Sequence, residues 1–176
     1  MSTVRYINKP AAYRSDVRRL LAAADDSFVP PLTAPERTEM SRAGDGPAST
    51  DLDSYVAACL DRPMVGAVGD GQLVGFASFE PLVDSEPFAA FTPTNHLTVL
   101  VVEEAYRNQG LATEFYHYLF ESLPADRHQP AVSTKTWSTN EAHLAILDAL
   151  GFECTHRVPD DRAPGVDTVY YARRVP

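Results

Sequence analysis

The chain has 176 residues, 44% of them apolar, and a formal net charge of −9 with a pI near 4.9. That length suits one domain spanning 1–176 with a substantial core, and so acidic a balance excludes a nucleic-acid partner, which requires a clustered cationic surface. Two cysteines, Cys59 and Cys154, exclude a disulfide framework and read as buried, reduced thiols.

From Met1 to Ile7 the apolar run is too short for a signal peptide, and no segment approaches the ~20 apolar residues of a membrane span. A cytoplasmic protein with no membrane partner is expected. Val4 to Ile7 predicts a first strand. Pro10 opens a helix in which Tyr13, Val17, Leu20, Leu21 and Ala24 share one face. Phe28 to Ser49 is rich in proline and polar residues and reads as a loop able to wall a substrate cleft. A capping-type start at Thr50-x-x-Asp53 then precedes a helix with Leu52, Tyr55, Val56, Cys59 and Leu60 on one face, ended by Pro63.

Met64 to Val68 and Leu73 to Phe79 flank Gly69-Asp70-Gly71-Gln72, the pattern of a β-hairpin whose turn needs positive φ. These glycines lack Gly-x-Gly-x-x-Gly spacing, and a strand follows them, so they are not a dinucleotide fingerprint. Pro81 to Asn95 is broken by prolines.

Next comes an apolar strand, His96 to Val102, which runs through Arg107-Asn-Gln-Gly110-Leu-Ala112 into a helix from Leu111 to about Ser122. Helix N-termini leave N–H groups without intrahelical partners, so those of Asn108, Gln109, Gly110, Leu111, Ala112 and Thr113 can converge on an anion, with Arg107 beside them. Ala131 to Trp137 is a further strand. Ser138-Thr-Asn140-Glu141 carries the Ser-x-x-Glu capping-box pattern before a helix from Ala142 to Leu150, closed by Gly151 and followed by Phe152. The last strands are Phe152 to Val158 and Thr168 to Arg174, separated by a loop, Pro159 to Gly165, whose acidic pair can face a substrate.

The glycine-bearing turn after a Val-rich strand resembles the acyl-CoA motif of the GNAT acyltransferase superfamily, Arg/Gln-x-x-Gly-x-Gly/Ala. Asn140 and Gly151-Phe152, eleven residues apart, resemble its later motif. Two coupled motifs in the expected order are more specific than either alone. The resemblance implies an α/β fold with a mixed, largely antiparallel central sheet, splayed parallel central strands and flanking helices. It also implies acetyl-CoA as cosubstrate, held by Leu100, Val101 and Val102 through the strand's main chain, by Arg107 to Thr113 and by Asn140.

The implied reaction is transfer of an acetyl group to a primary amine by direct attack in a ternary complex. A small-molecule amine is the expected acceptor, with a protein or peptide amine, or an acyl-CoA-binding module without turnover, as the alternatives. A homodimer is left open. His96, eleven residues before Arg107, matches the place of the general-base Glu in the histone-modifying branch. An imidazole poised near neutral pH suits that role. Leu147 stands where the family places an acidic Tyr, which leaves the thiolate without that donor; Tyr170, Ser138 and Tyr171 are the substitutes on offer. Charge leans toward a cationic acceptor. His96, His117, His128, His143 and His156 show no metal-ligand spacing, so no metal is expected.

Overall fold

The computed structural model describes residues 1–34 and 51–176. Strands Thr3–Tyr6 (β1), Met64–Gly69 (β2), Gln72–Leu82 (β3), Thr94–Val102 (β4), Ala131–Trp137 (β5), Glu153–Ala163 (β6) and Val166–Arg174 (β7) form a seven-stranded sheet in the order β1-β2-β3-β4-β5-β7-β6. Every neighbouring pair is antiparallel except β4 and β5. Helices Arg14–Ala24 (α1), Leu52–Leu60 (α2), Leu111–Glu121 (α3) and Glu141–Ala149 (α4) cover it, giving the mixed, largely antiparallel α/β fold the resemblance implied.

Local chemistry accounts for most boundaries. A 3-10 turn over Pro10–Tyr13 leads into α1, which buries Val17, Leu20, Leu21 and Ala24. Asp51 caps α2, its carboxylate accepting from the Ser54 N–H at 2.9 Å, so the start lies one residue after the predicted Thr50, which is outside the described residues. Residues 35–49 of the predicted loop are outside them as well. The hairpin between β2 and β3 turns at Asp70 and Gly71, with φ of 51° and 79°. Both are left-handed, as a two-residue turn of this kind requires.

Three sequence expectations need correction. Pro159 to Gly165 is no loop, because β6 runs on to Ala163 and the hairpin turn is confined to Pro164 and Gly165. The acidic pair is engaged inside that hairpin: Asp160 Oδ1 accepts from the Gly165 N–H, and Asp161 Oδ2 accepts from the Thr168 hydroxyl at 2.6 Å. Ser138 caps nothing, since its Oγ accepts from the Asp167 N–H. Asn140 is the N-cap of α4 instead, accepting from the His143 N–H at 3.4 Å. Finally, Cys59 is buried but Cys154 is exposed on the edge strand β6.

Each face of the sheet buries its own core. One joins α1 and α2 through Val17, Leu20, Leu21, Tyr55 and Val56 to Phe76, Val99 and Val101. The other joins α3 and α4 through Phe115, Tyr116, Leu119 and Leu147 to Phe79, Leu97 and Phe152. A bulge allows β4 to serve both. Its register with β3 jumps from Leu97↔Phe79 to Val99↔Ser78, skipping Thr98, which reverses the alternation and sends Leu97 to one core and Val99 to the other.

Candidate functional site

The parallel strands pair only at Asn95↔Val132, His96↔Ser133 and Leu97↔Thr134. Beyond that point β4 continues to Val102 and β5 to Trp137 without pairing, while β4 stays bonded to β3 on its other side as far as Val102↔Gly75. The central strands are therefore splayed, and among the described residues the β4 edge facing β5 carries main-chain groups with no ladder partner. An extended arm bearing amides can pair with such an edge. A cleft of about 720 Å³ occupies the gap, lined by both strands, the start of α3, the first turns of α4, and Phe28.

At one end of the cleft lies the predicted turn. Asn108 and Gly110 have φ of 59° and 83°, and Gly110 is the N-cap of α3 with no side chain to cap it. The first N–H groups of α3, from Leu111 to Thr113, have no intrahelical acceptor and meet the positive end of the helix dipole. Among the described residues, a Cβ added to Gly110 would meet nothing within 4 Å beyond its own chain neighbours, at a position on the cleft wall. Arg107 joins the turn to the strand end, its Nε donating to the Val102 carbonyl at 3.0 Å. This cradle fits the diphosphate of coenzyme A, and the open β4 edge fits its amide-bearing arm. Leu100, Val101, Val102, Arg107, Asn108, Gly110, Leu111, Ala112, Thr113 and Asn140 all line the cleft. Gln109 is the exception, its side chain turned back to donate to the Ala105 carbonyl at 3.1 Å.

On the α4 wall, Asn140 is both cap and lining residue, and its Nδ2 donates to Thr136 Oγ1 at 3.0 Å. His143, in the first turn of α4, lines the cleft with its Nε2 2.8 Å from Tyr116 Oη. Burial pushes its pKa down to about 4, so the ring is neutral at physiological pH. Tyr116 is fully buried, and desolvation raises its hydroxyl above the usual phenolic range. Leu147 is fully buried in the core.

His96 and Tyr170 are placed apart from this lining. His96 is fully buried at the paired end of β4, its Nδ1 3.0 Å from Ser133 Oγ and its ring 5.1 Å from that of Phe88. Tyr170, on β7 opposite Lys135, packs edge-on to Phe88 at 5.6 Å. The cleft is also lined by an aromatic pair, Phe28 and Trp137 at 5.6 Å, with the buried Arg162 guanidinium 5.7 Å from Trp137. Sequence reading missed Thr134, Lys135 and Trp137 as lining residues; the alternation along β5 was their only signal, and it does not say that the next strand departs. Among the described residues the charged groups lining the cleft are Arg107 and Lys135, with no carboxylate, so the acidity of the chain is not concentrated there.

The family model of the GNAT acetyltransferases matches residues 22–152. No curated protein sequence matches the chain. Among solved structures it is similar to NAA60 of Arabidopsis thaliana in complex with a bisubstrate analogue, with 16% identity, TM-score 0.70, and 99% and 98% of the two chains covered. It also resembles yncA of Salmonella typhimurium with its cofactor acetyl-CoA, with 17% identity, TM-score 0.67, and coverage of 100% and 95%. An aminoglycoside 6′-acetyltransferase type Ii gives 17% identity, TM-score 0.67, and coverage of 99% and 97%. At such identity these likenesses establish the fold, while the family match spans most of the sequence, including both motifs. The chain therefore belongs to the GNAT acetyltransferase family, enzymes that take their acyl group from acetyl-CoA.

Proposed function

We propose that the protein transfers the acetyl group of acetyl-CoA to the primary amine of a small molecule by direct attack in a ternary complex. One observation carries this reading: the residues of the α3 cradle and the aromatic pair Phe28 and Trp137 line one and the same cleft, where cosubstrate and acceptor would meet. Leu100, Val101 and Val102 would hold the pantetheine arm, and Arg107 to Thr113 would hold the diphosphate, Gln109 through its main chain. Bound acetyl-CoA supplies an activated acyl carbonyl, and a β4 N–H near Leu100 or Val101 would stabilise its oxygen as charge develops.

No cysteine lines the cleft among the described residues. Cys59 is buried, and desolvation pushes its thiol up to about 12, which removes it as a nucleophile. Direct attack follows. The ammonium must lose a proton first, and His96, one residue below the vertex of the parted strands, would take it through a bridging water. Leu147 has no proton to give, and Tyr170 is packed away from the lining, so the thiolate would leave without a side-chain acid; an ordinary thiol pKa of ~8.5 makes that tolerable. The apolar, aromatic pair of Phe28 and Trp137 in the cleft supports a small acceptor over a peptide. A thiol-release screen of acetyl-CoA against small amines, amino acids and peptides tests the reading: turnover is expected with a small amine, and turnover confined to peptides would overturn it.

A further inference from the structure

Beside the aromatic pair lies a buried cation for which acetyl transfer has no direct use. Arg162 is only 5% exposed, on a strand whose residues are mostly open to solvent. The register of β6 with β7 shows how it turns inward. Pairing jumps from Val158↔Thr168 to Ala163↔Val166, so Pro159 to Arg162 stand against Asp167 alone, and such a bulge re-aims the side chains it carries.

Thr168 has one hydroxyl proton and donates it to Asp161 Oδ2 at 2.6 Å, which leaves its oxygen to accept from Arg162 Nε at 2.9 Å. Thr168 is fully buried on β7, directly opposite Trp137 on β5. Oriented in this way, the guanidinium donates from Nη1 to the Val29 carbonyl at 3.2 Å, 133 positions away in sequence, with its carbon 5.7 Å from the Trp137 ring centroid. Val29 follows Phe28, whose ring packs on Trp137 at 5.6 Å. The contacts close a circuit from Trp137 through Thr168, Arg162 and Val29 to Phe28 and back. Phe28 and Trp137 are half-buried and line the cleft, whereas Arg162 does not. A guanidinium taken out of water is costly, and an apolar side chain of similar size would fill the space without that cost. What the guanidinium fork adds is a directed hold on the Val29 carbonyl.

We propose that Arg162 is a positioning residue for acceptor binding: it holds the segment after α1 so that Phe28 stays against Trp137, and the two rings present one apolar face to the acceptor amine. The inference rests on the reading that a small amine is acetylated in this cleft. It ties acceptor selectivity to the β6–β7 hairpin and leaves acetyl-CoA binding to the cradle at Arg107 to Thr113.

Trp137 is the only tryptophan of the chain, so its fluorescence reports on this pair. Acrylamide quenching is measured on the intact protein, on Arg162→Gln, on Phe28→Ala and on the double variant. Should Arg162→Gln fail to fold by circular dichroism, Arg162→Lys, which keeps the charge and loses the fork, takes its place. Each single change is expected to raise quenching, and the double variant to exceed Phe28→Ala by little. Unchanged quenching in Arg162→Gln, or an equal increment from it in both backgrounds, overturns the positioning role. Thiol release from acetyl-CoA with phenethylamine as the probe amine gives the second readout. Arg162→Gln is expected to raise the phenethylamine KM by about tenfold and to leave the acetyl-CoA KM unchanged. An unchanged phenethylamine KM, or a parallel rise for both substrates, overturns the proposal. Turnover of other small amines but not of phenethylamine by the parent overturns the apolar face alone. Turnover of no small amine overturns the acetyl-transfer reading, and the quenching cycle still decides whether Arg162 positions Phe28.

Discussion

Leu97 and Thr134 are the last matched pair between the parallel strands, and Thr134 Oγ1 donates to the Leu97 carbonyl at 3.1 Å where the ladder ends. A side chain thus closes the vertex of the cleft on the α3 and α4 side, and Thr134 is almost wholly buried in doing so. Thr134→Val keeps the shape but leaves the Leu97 carbonyl short of a partner. The expected cost is about 1–3 kcal/mol in urea unfolding, with Thr134→Ser recovering most of it. An unchanged midpoint in the valine variant contradicts this.

Asn140 has two duties, so its loss should register twice. Removal of the cap predicts about 1 kcal/mol of lost stability in Asn140→Ala. Its place in the cleft wall predicts a raised KM for acetyl-CoA as well. A variant that melts lower with KM unchanged is only a cap.

His143 imposes a pH dependence whose sign can be worked out. Its folded pKa of about 4 lies below the ordinary 6.5, so between these values the unfolded chain binds the extra proton. Stability is lost as pH falls through this window, and below about 4 the residue contributes no further slope. His143→Gln should flatten the stability curve between pH 6.5 and 4 relative to the parent. Parallel curves for the two proteins contradict the buried neutral ring.

His96→Ala separates base catalysis from packing. A general base typically contributes ~10²–10⁴-fold, so kcat/KM should fall by about that much, with coenzyme A binding retained. The loss should shrink at high pH, where the amine is already neutral. A pH–rate profile that overlays the parent's removes His96 as the base.

The elements that bear the motifs were legible because local chemistry sets them. Strand Ala131–Trp137 and the start of the helix at Leu111 fall where hydrophobic alternation and the Gly110 turn placed them. The parting of β4 and β5 was reached through resemblance alone, since no residue pattern says that pairing stops after Leu97. Three residues show why the rest was hidden. Ser138 matched a capping box, yet its hydroxyl was claimed by Asp167 from the distant strand β7. Asp161 looked free in a polar loop until Thr168 took it. The placement of His143 was not fixed by the sequence because its partner Tyr116 lies on another helix, 27 positions away.

If the turn from Arg107 to Thr113 and the open edge of β4 hold acetyl-CoA, calorimetric titration of coenzyme A must distinguish the parent protein from Gly110→Asp. Aspartate there would set a carboxylate where the diphosphate is expected and force a side chain to φ of 83°. Binding is expected for the parent and none for the variant, with circular dichroism unchanged. Equal coenzyme A affinity in a folded Gly110→Asp protein would contradict it.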